Sequence, residues 1–319
     1  MSDPRIFAIC PDDDTPCGGV RKIYRHVDVL NAGGFDAAVV HQKEAFRCTW
    51  FEHRTRTLHR SQANLRSGDV LLLSEVIGPR LPQLPADCRI VIFNQNAYYT
   101  FKGYGFDPAD RNTPYLDPRV RAALVVSEDS RQYLSHVFPR LHVFRLRLAV
   151  NPALFFYDPS LKRPQLCFMP RKHADEALQV INILKFRGAL DGFPIVAIHG
   201  VSEAKAAEIM RESLVFLSFG YPEGFPLPPL EAMVCGCLTI GYQGMGGVEY
   251  FDAEHAFPVA TADVLGFAKT VEAVLADWRT DPHSLQEKAA LAARWIREKY
   301  TPEQEACDIL TAWSQIAQR

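Results

Sequence analysis

Short apolar runs alternate along this chain with segments whose apolar residues recur at the helical period, and that alternation predicts a parallel α/β architecture. Residues 5–10 (RIFAIC) predict a first strand. Residues 18–34 (GGVRKIYRHVDVLNAGG) predict a loop leading into a helix that stops at a glycine pair. The runs FDAAVVH, DVLLLSE, CRIVIFNQN and AALVVSE predict further buried strands. SEDSRQYLSHVFP predicts a short helix ending near Pro139, and HVFRLRLAV another strand-like run.

Residues 151–165 (NPALFFYDPSLKRPQ) carry three prolines and no clean period, which marks a linker. A second series follows. LCFMPRK, FPIVAIHG, LVFLSFG and CLTIGY predict strands; ADEALQVINILKFRGAL, SEAKAAEIMRES and PPLEAMVCG predict helices. From about Thr261 the pattern is helical, and Thr301, Pro302 and the acids after them make a good start for a closing helix. The expected organisation is an N-terminal domain over 1–152, a linker over 153–164, a C-terminal domain over 165–300 and a last helix over 301–319. Two doubly wound units predict a cleft, with ligands at the carboxyl ends of the strands.

Composition changes this picture little. The 319 residues are 48% hydrophobic and 23% charged, an ordinary globular balance. A net charge of −2 gives no general attraction to nucleic acid. No apolar run approaches the roughly 20 residues that span a bilayer, and the N-terminus lacks the pattern of a signal peptide. Peripheral membrane contact stays open. The eight cysteines have neither zinc nor redox spacing and read as reduced, mostly buried thiols of a cytoplasmic protein. The ten histidines show no ligand spacing, and Asp12 and Asp14 in CPDDDTP read as an acidic loop rather than a metal cage.

Residues 220–236 (GYPEGFPLPPLEAMVCG) concentrate the chemistry. Pro226, Pro228 and Pro229 cannot lie within a helix, so the helix is expected to begin near Pro228 or Pro229. Glu223 then falls in the loop and Glu231 in the first helical turn. Gly224 permits a tight backbone, and the amides ahead of the helix can face an anion. A carboxylate in such a loop can grip one set of hydroxyls, and a second one in the helix another.

The order Glu-Gly-Phe-Pro, four residues, Glu-Ala-Met, a Cys-Gly turn and a strand resembles the signature of the family-4 retaining glycosyltransferases of the GT-B fold, the group 1 glycosyltransferases. That resemblance implies two facing Rossmann-like domains with a cleft between them, an acceptor-side N-terminal domain and a nucleotide-sugar donor domain. It also implies a closing helix that packs back on the first domain. Glu223 would bind the transferred sugar and Glu231 the ribose hydroxyls, while the backbone at Phe225, Pro226 and Leu227 approaches sugar and diphosphate. Gly18 and Gly19, followed by Arg21 and Lys22, resemble the first loop that approaches the donor diphosphate. Arg171 and Lys172 resemble the basic pair that neutralises the leaving diphosphate without a metal. Gly200 and Val201, beside His199, resemble the turn that cradles the base. Gly246 and Gly247 resemble the glycine loop beside the donor.

Two departures stand out. The second domain lacks a strand–helix unit that the family usually carries. Where many relatives place a histidine near the sugar, this chain has Asn94, Gln95 and Asn96, none of which can act as a base. Gln95 and Asn96 remain candidates to hold sugar hydroxyls. Tyr98 and Tyr99, with Phe101 and Tyr104, are candidates for a stacking floor under an acceptor. The expected function is metal-independent, retaining transfer of a hexose from a nucleotide diphosphate sugar to a saccharide or glycoconjugate, as in polysaccharide biosynthesis, with no further cofactor. The rivals are an epimerase or phosphorylase of the same fold, and a non-catalytic nucleotide-sugar-binding protein.

Overall fold

A computed structural model describes residues 4–79, 81 and 87–317. The last two residues of the expected closing helix, and the first three of the expected N-terminal domain, lie outside these. The chain divides into two compact units, Met1–Arg147 together with Glu303–Arg319, and Leu148–Pro302.

In the first unit the elements run β1 (Ile6–Ile9), α1 (Gly18–Ala32), β2 (Ala37–His41), β3 (Thr57–His59), α2 (Arg60–Ala63), β4 (Val70–Ser74), β5 (Arg89–Asn94), β6 (Val120–Val125), α3 (Glu128–Val137) and β7 (Val143–Arg145). They build one parallel sheet in the order β3-β2-β1-β4-β5-β6-β7. The strand order reverses between β1 and β4, so the loops after these strands diverge to opposite sides and leave a crevice between them. The central strands are apolar throughout because helices cover both faces; Ile90, Val91 and Ile92 have no exposed surface.

The second unit contains β8 (Arg163–Phe168), α4 (Ala174–Phe186), β9 (Ile195–Ala197), α5 (Glu203–Glu212), β10 (Ser213–Ser218), α6 (Leu227–Val234), β11 (Leu238–Gly241), β12 (Phe257–Pro258), α7 (Val264–Thr280) and α8 (Pro282–Lys299). Its parallel sheet has the order β12-β11-β10-β8-β9. The reversal here lies between β8 and β10, which brings the loop after β8 alongside the loop after β10. Residues 151–165, expected as a linker, hold a short helical turn (Pro159–Leu161) and the first half of β8. The backbone N–H of Val150 donates to the carbonyl of Tyr300 at 3.3 Å, so the two ends of this unit are hydrogen-bonded to each other.

The last helix, α9 (Pro302–Ala317), packs on the first unit. Trp313 is 2% exposed, and its indole N–H donates to Nε2 of the buried His26 at 2.7 Å. Lys22 and Glu305 meet at 2.7 Å, both buried, and Asp308 takes a forked pair of bonds from Arg147. Strands β3 and β12 escape the sequence pattern because each is a short edge strand of two or three residues. Among the described residues no helix is long and apolar enough to cross a membrane.

Candidate functional site

The fully buried strand β10 delivers Gly220 and the loop after it to the switch point of the second unit. Helix α6 begins earlier than the prolines suggested. Pro226 is its N-cap, and Leu227, Pro228 and Pro229 form its first three positions. Tandem proline is tolerated there because first-turn N–H groups have no partner within the helix. Glu231 therefore stands fifth, beyond the first turn in which it was expected, and is 5% exposed.

Glu223 is held from its backbone. Its N–H donates to the Gly244 carbonyl at 3.2 Å, and its carbonyl accepts from the Gly246 N–H at 3.1 Å. Only glycine fits opposite: at Gly244, with φ +63°, a Cβ would lie 2.8 Å from the Gly220 carbonyl oxygen and 3.1 Å from the Glu223 Cβ. Gly247 packs as tightly on Pro226, while Gly246 contributes its amide. The buried Tyr250 hydroxyl donates to the Pro226 carbonyl. Phe225 is buried against Tyr250 and Tyr300, and Leu227 and Gly224 are buried too, so the side chains of this stretch serve packing. The Glu223 carboxylate is left reaching toward Lys172.

Across the switch point, the loop after β8 carries Arg171, Lys172 and His173. Lys172 Nζ stands 2.7 Å from Glu223 Oε1, with both side chains about one quarter exposed (24% and 22%). Arg171 is exposed. His173, the N-cap of α4, adopts the left-handed conformation (φ 53°) and stacks on Tyr221, ring centroids 3.9 Å apart at 4°. Glu176, in the first turn of α4, accepts from the hydroxyls of Tyr221 and Tyr242, each at 2.7 Å. That bond is the first cause, and burial the second, of a phenol pKa in Tyr221 above its ordinary value; for Tyr242 burial comes first. None of His173, Glu176, Tyr221 or Tyr242 stood out in the sequence, since their contacts join positions 45 and 66 residues apart.

Gly200 and Val201 follow the edge strand β9. Gly200 has φ +64° and open space where a Cβ would stand, and His199 beside it is exposed.

The first unit holds the remaining candidates. Gly18 and Gly19 open α1 at the carboxyl end of β1, and Gln95 Nε2 donates to the Gly19 carbonyl at 3.1 Å, so the structure joins these two motifs. Lys22, read as facing an anion alongside Arg21, is instead buried against Glu305, because it lies on the face of α1 that α9 covers. The amides divide. Asn94 is fully buried and donates to Thr100 and Tyr115, and the Asn96 carbonyl oxygen caps the short turn that starts at Ala97. Both serve local structure, as does Tyr98, whose hydroxyl donates to Asp129. Tyr99 is half-buried under the Lys102 ammonium. Glu75, just after β4, is a buried acid that the sequence reading passed over. Burial pushes its pKa up, against the amides of Gln95 and Asn96 and the Ser74 hydroxyl, which favour the charged form. Asp12 accepts from the amides of Lys43 and Gln42 and from His41, and these bonds outweigh burial and hold it below the ordinary carboxylate range. Asp14 is spent on Thr49. Among the described residues no group of three or more His, Cys, Asp or Glu could hold a metal ion.

Two parallel doubly wound units, the second with a basic loop and an acidic loop meeting at its switch point, make up the GT-B fold. Solved structures share that fold at 10–14% identity: sucrose-phosphate synthase from Thermosynechococcus elongatus (TM-score 0.72, 98% of this chain and 99% of that one), Anabaena Alr3699/HepE in complex with UDP and glucose (0.67, 98% and 100%), and the pneumococcal O-GlcNAc transferase GtfA in complex with UDP and GlcNAc (0.64, 100% and 99%). Within that fold, residues 170–292, most of the second unit, match the family described as "Glycosyl transferases group 1". A curated relative, the alpha-1,6-glucosyltransferase of Actinobacillus pleuropneumoniae serotype 7 (strain AP76), is 26% identical over 248 residues, covering 72% of this chain and 70% of its own.

Proposed function

We propose that the protein transfers a hexose, with retention of configuration and without a metal, from a nucleotide diphosphate sugar to a saccharide or glycoconjugate acceptor. The observation that carries the reading is the Lys172–Glu223 pair at the switch point of the second unit, with Arg171 next to it. Splitting that pair offers a cation to the diphosphate and a carboxylate to sugar hydroxyls, which complements the anion and the hydroxyls that a nucleotide sugar presents. UDP with glucose or GlcNAc in two structural neighbours supports this donor class, and the glucosyltransferase relative supports a hexose.

In this reaction the bond from sugar C1 to the phosphate oxygen breaks as the acceptor hydroxyl attacks the same face of the ring. Its proton passes to the departing phosphate. Arg171 and Lys172 stabilise the charge that develops on the diphosphate, the role a metal would otherwise fill. Glu223 orients the sugar and Glu231 the ribose. Gly18 and Gly19 offer backbone amides at the start of α1 to an anion. No side chain in the FNQN segment has to act as a base. Eight free thiols suit a reducing, cytoplasmic compartment.

The test is a thermal-shift screen with UDP, GDP, ADP, CMP and dTDP, followed by hydrolysis and transfer assays with sugars of the best nucleotide. A nucleotide at about 100 times its Kd adds about 2.7 kcal/mol of stability. Stabilisation followed by turnover with retained anomeric configuration is the expected result. Stabilisation without turnover of any donor would establish a binding protein instead, and phosphate-dependent release of sugar phosphate a phosphorylase.

A further inference from the structure

We infer that Glu176, with His173, Tyr221 and Tyr242, forms a positioning lock that sets where Glu223 stands relative to Lys172; the inference rests on the glycosyltransferase reading above. The two carboxylate oxygens of Glu176 are spent on different segments. Oε1 accepts from the Tyr221 hydroxyl at 2.7 Å, and Oε2 from the Tyr242 hydroxyl at 2.7 Å. Tyr221 lies two residues before Glu223. Tyr242 lies two residues before Gly244, whose carbonyl receives the Glu223 backbone N–H. Glu176 itself sits four residues after Lys172, in the first turn of α4. One carboxylate therefore ties together the three segments whose spacing determines the 2.7 Å approach of Lys172 to Glu223.

His173 closes the arrangement. A carbonyl oxygen only accepts, so its Nε2 must donate to the Tyr221 carbonyl, at 2.5 Å. Nδ1 stands 3.3 Å from Glu176 Oε1, and the imidazole plane lies against the Tyr221 ring. The Tyr242 ring meets Tyr221 edge-on, centroids 5.3 Å apart at 86°. Tyr221 is gripped at its ring, its hydroxyl and its carbonyl, which is far more constraint than the turn it occupies needs. A first-turn acid present only for the helix dipole would leave its oxygens to solvent. This one is aimed across the helix end at two tyrosines from separate loops.

The lock touches no reacting group, so its removal is expected to blur the placement of Glu223 while leaving nucleotide binding intact. The experiment uses the full chain as wild type, Glu176→Ala, Glu176→Gln, Tyr221→Phe, Glu223→Ala and the Glu176→Ala/Glu223→Ala double variant. Hydrogen exchange of the amides in residues 220–225 and 243–246 reports the lock without any substrate. Hydrolysis of UDP-glucose, UDP-galactose and UDP-N-acetylglucosamine, with UDP titration calorimetry, reports its consequence. Glu176→Ala is expected to speed exchange in both segments by at least about tenfold and to lower kcat about 10- to 100-fold, with the Kd for UDP unchanged within about twofold. Glu176→Gln and Tyr221→Phe, which keep most of the packing, are expected to shift both readouts less and in the same direction. In the Glu223→Ala background the Glu176 substitution should cost less than about twofold in kcat. Unchanged exchange, a UDP affinity that falls in step with kcat, or full additivity in the double variant overturns the positioning role alone. A wild-type chain that turns over no donor of any nucleotide in the screen above overturns the proposed function, whereas unchanged exchange in Glu176→Ala overturns the lock by itself.

Discussion

Acid should loosen α9 from the first unit through a single histidine. Indole N–H can only donate, so the 2.7 Å contact from Trp313 requires His26 Nε2 to accept, which fixes the neutral ring with its proton on Nδ1. His26 is 1% exposed, and burial lowers its pKa from an ordinary 6.5 to about 4, against the smaller opposing pull of Glu305. A folded-state pKa below the unfolded one means that the unfolded chain binds the proton first. The stability from this group is thus fully present above pH 6.5 and is lost as pH falls through about 4. Between neutrality and about pH 4.5 the linkage amounts to about 2.5 kcal/mol, from about 1.36 kcal/mol for each pH unit separating the two values. His26→Asn keeps an acceptor for the indole and removes the titration. Urea unfolding of both proteins at about pH 7.5 and about pH 4.5 should show the wild type losing about 2.5 kcal/mol more than the variant. A difference below about 0.5 kcal/mol, or an imidazole titrating near 6.5 in the folded protein by NMR, would refute the argument.

Three further outcomes follow from the second unit. Glu223→Ala should lower donor turnover about 100-fold with a much smaller change in nucleotide affinity, whereas Glu231→Ala should raise the donor Kd about tenfold; steady-state kinetics and calorimetry separate them, and unchanged transfer in both removes the assignment. Gly241→Ala should destabilise the unit by about 2 kcal/mol or more in denaturant, because Gly241 has φ +128° and a Cβ there would stand 2.3 Å from the Ser218 carbonyl oxygen. Tyr250→Phe should cost about 1 kcal/mol in the same assay by removing the hydroxyl that donates to the Pro226 carbonyl.

The central sheet strands were legible because each carries an apolar run, whereas the short edge strands β3 and β12 were not, and the loop position of Glu223 was legible because prolines on either side of it forbid helix. Where α6 begins was misjudged by a residue or two, since prolines are compatible with the N–H groups a helix leaves unpaired. Lys22 was misjudged for a different reason. Periodicity shows that it lies on α1, but not that residues nearly three hundred positions later would cover that face with Glu305. The same blindness to distant pairing hid the Glu176 lock and the amide cradle of Glu75. Asn96 looked like a ligand group because polar residues at a strand end usually face solvent, whereas here its side chain caps the turn that follows.

The return of α9 to the first unit has a consequence for biosynthesis. Residues 148–302 form a continuous insertion whose ends are joined by the Val150–Tyr300 hydrogen bond, so this unit is complete once Pro302 has been made. The first unit, begun earlier, still lacks the Trp313 side chain that bonds to His26 and the Glu305 carboxylate that meets Lys22. On the ribosome the half made first is therefore the half finished last, and until residues 303–317 emerge its α1 face stays open to chaperones and proteases.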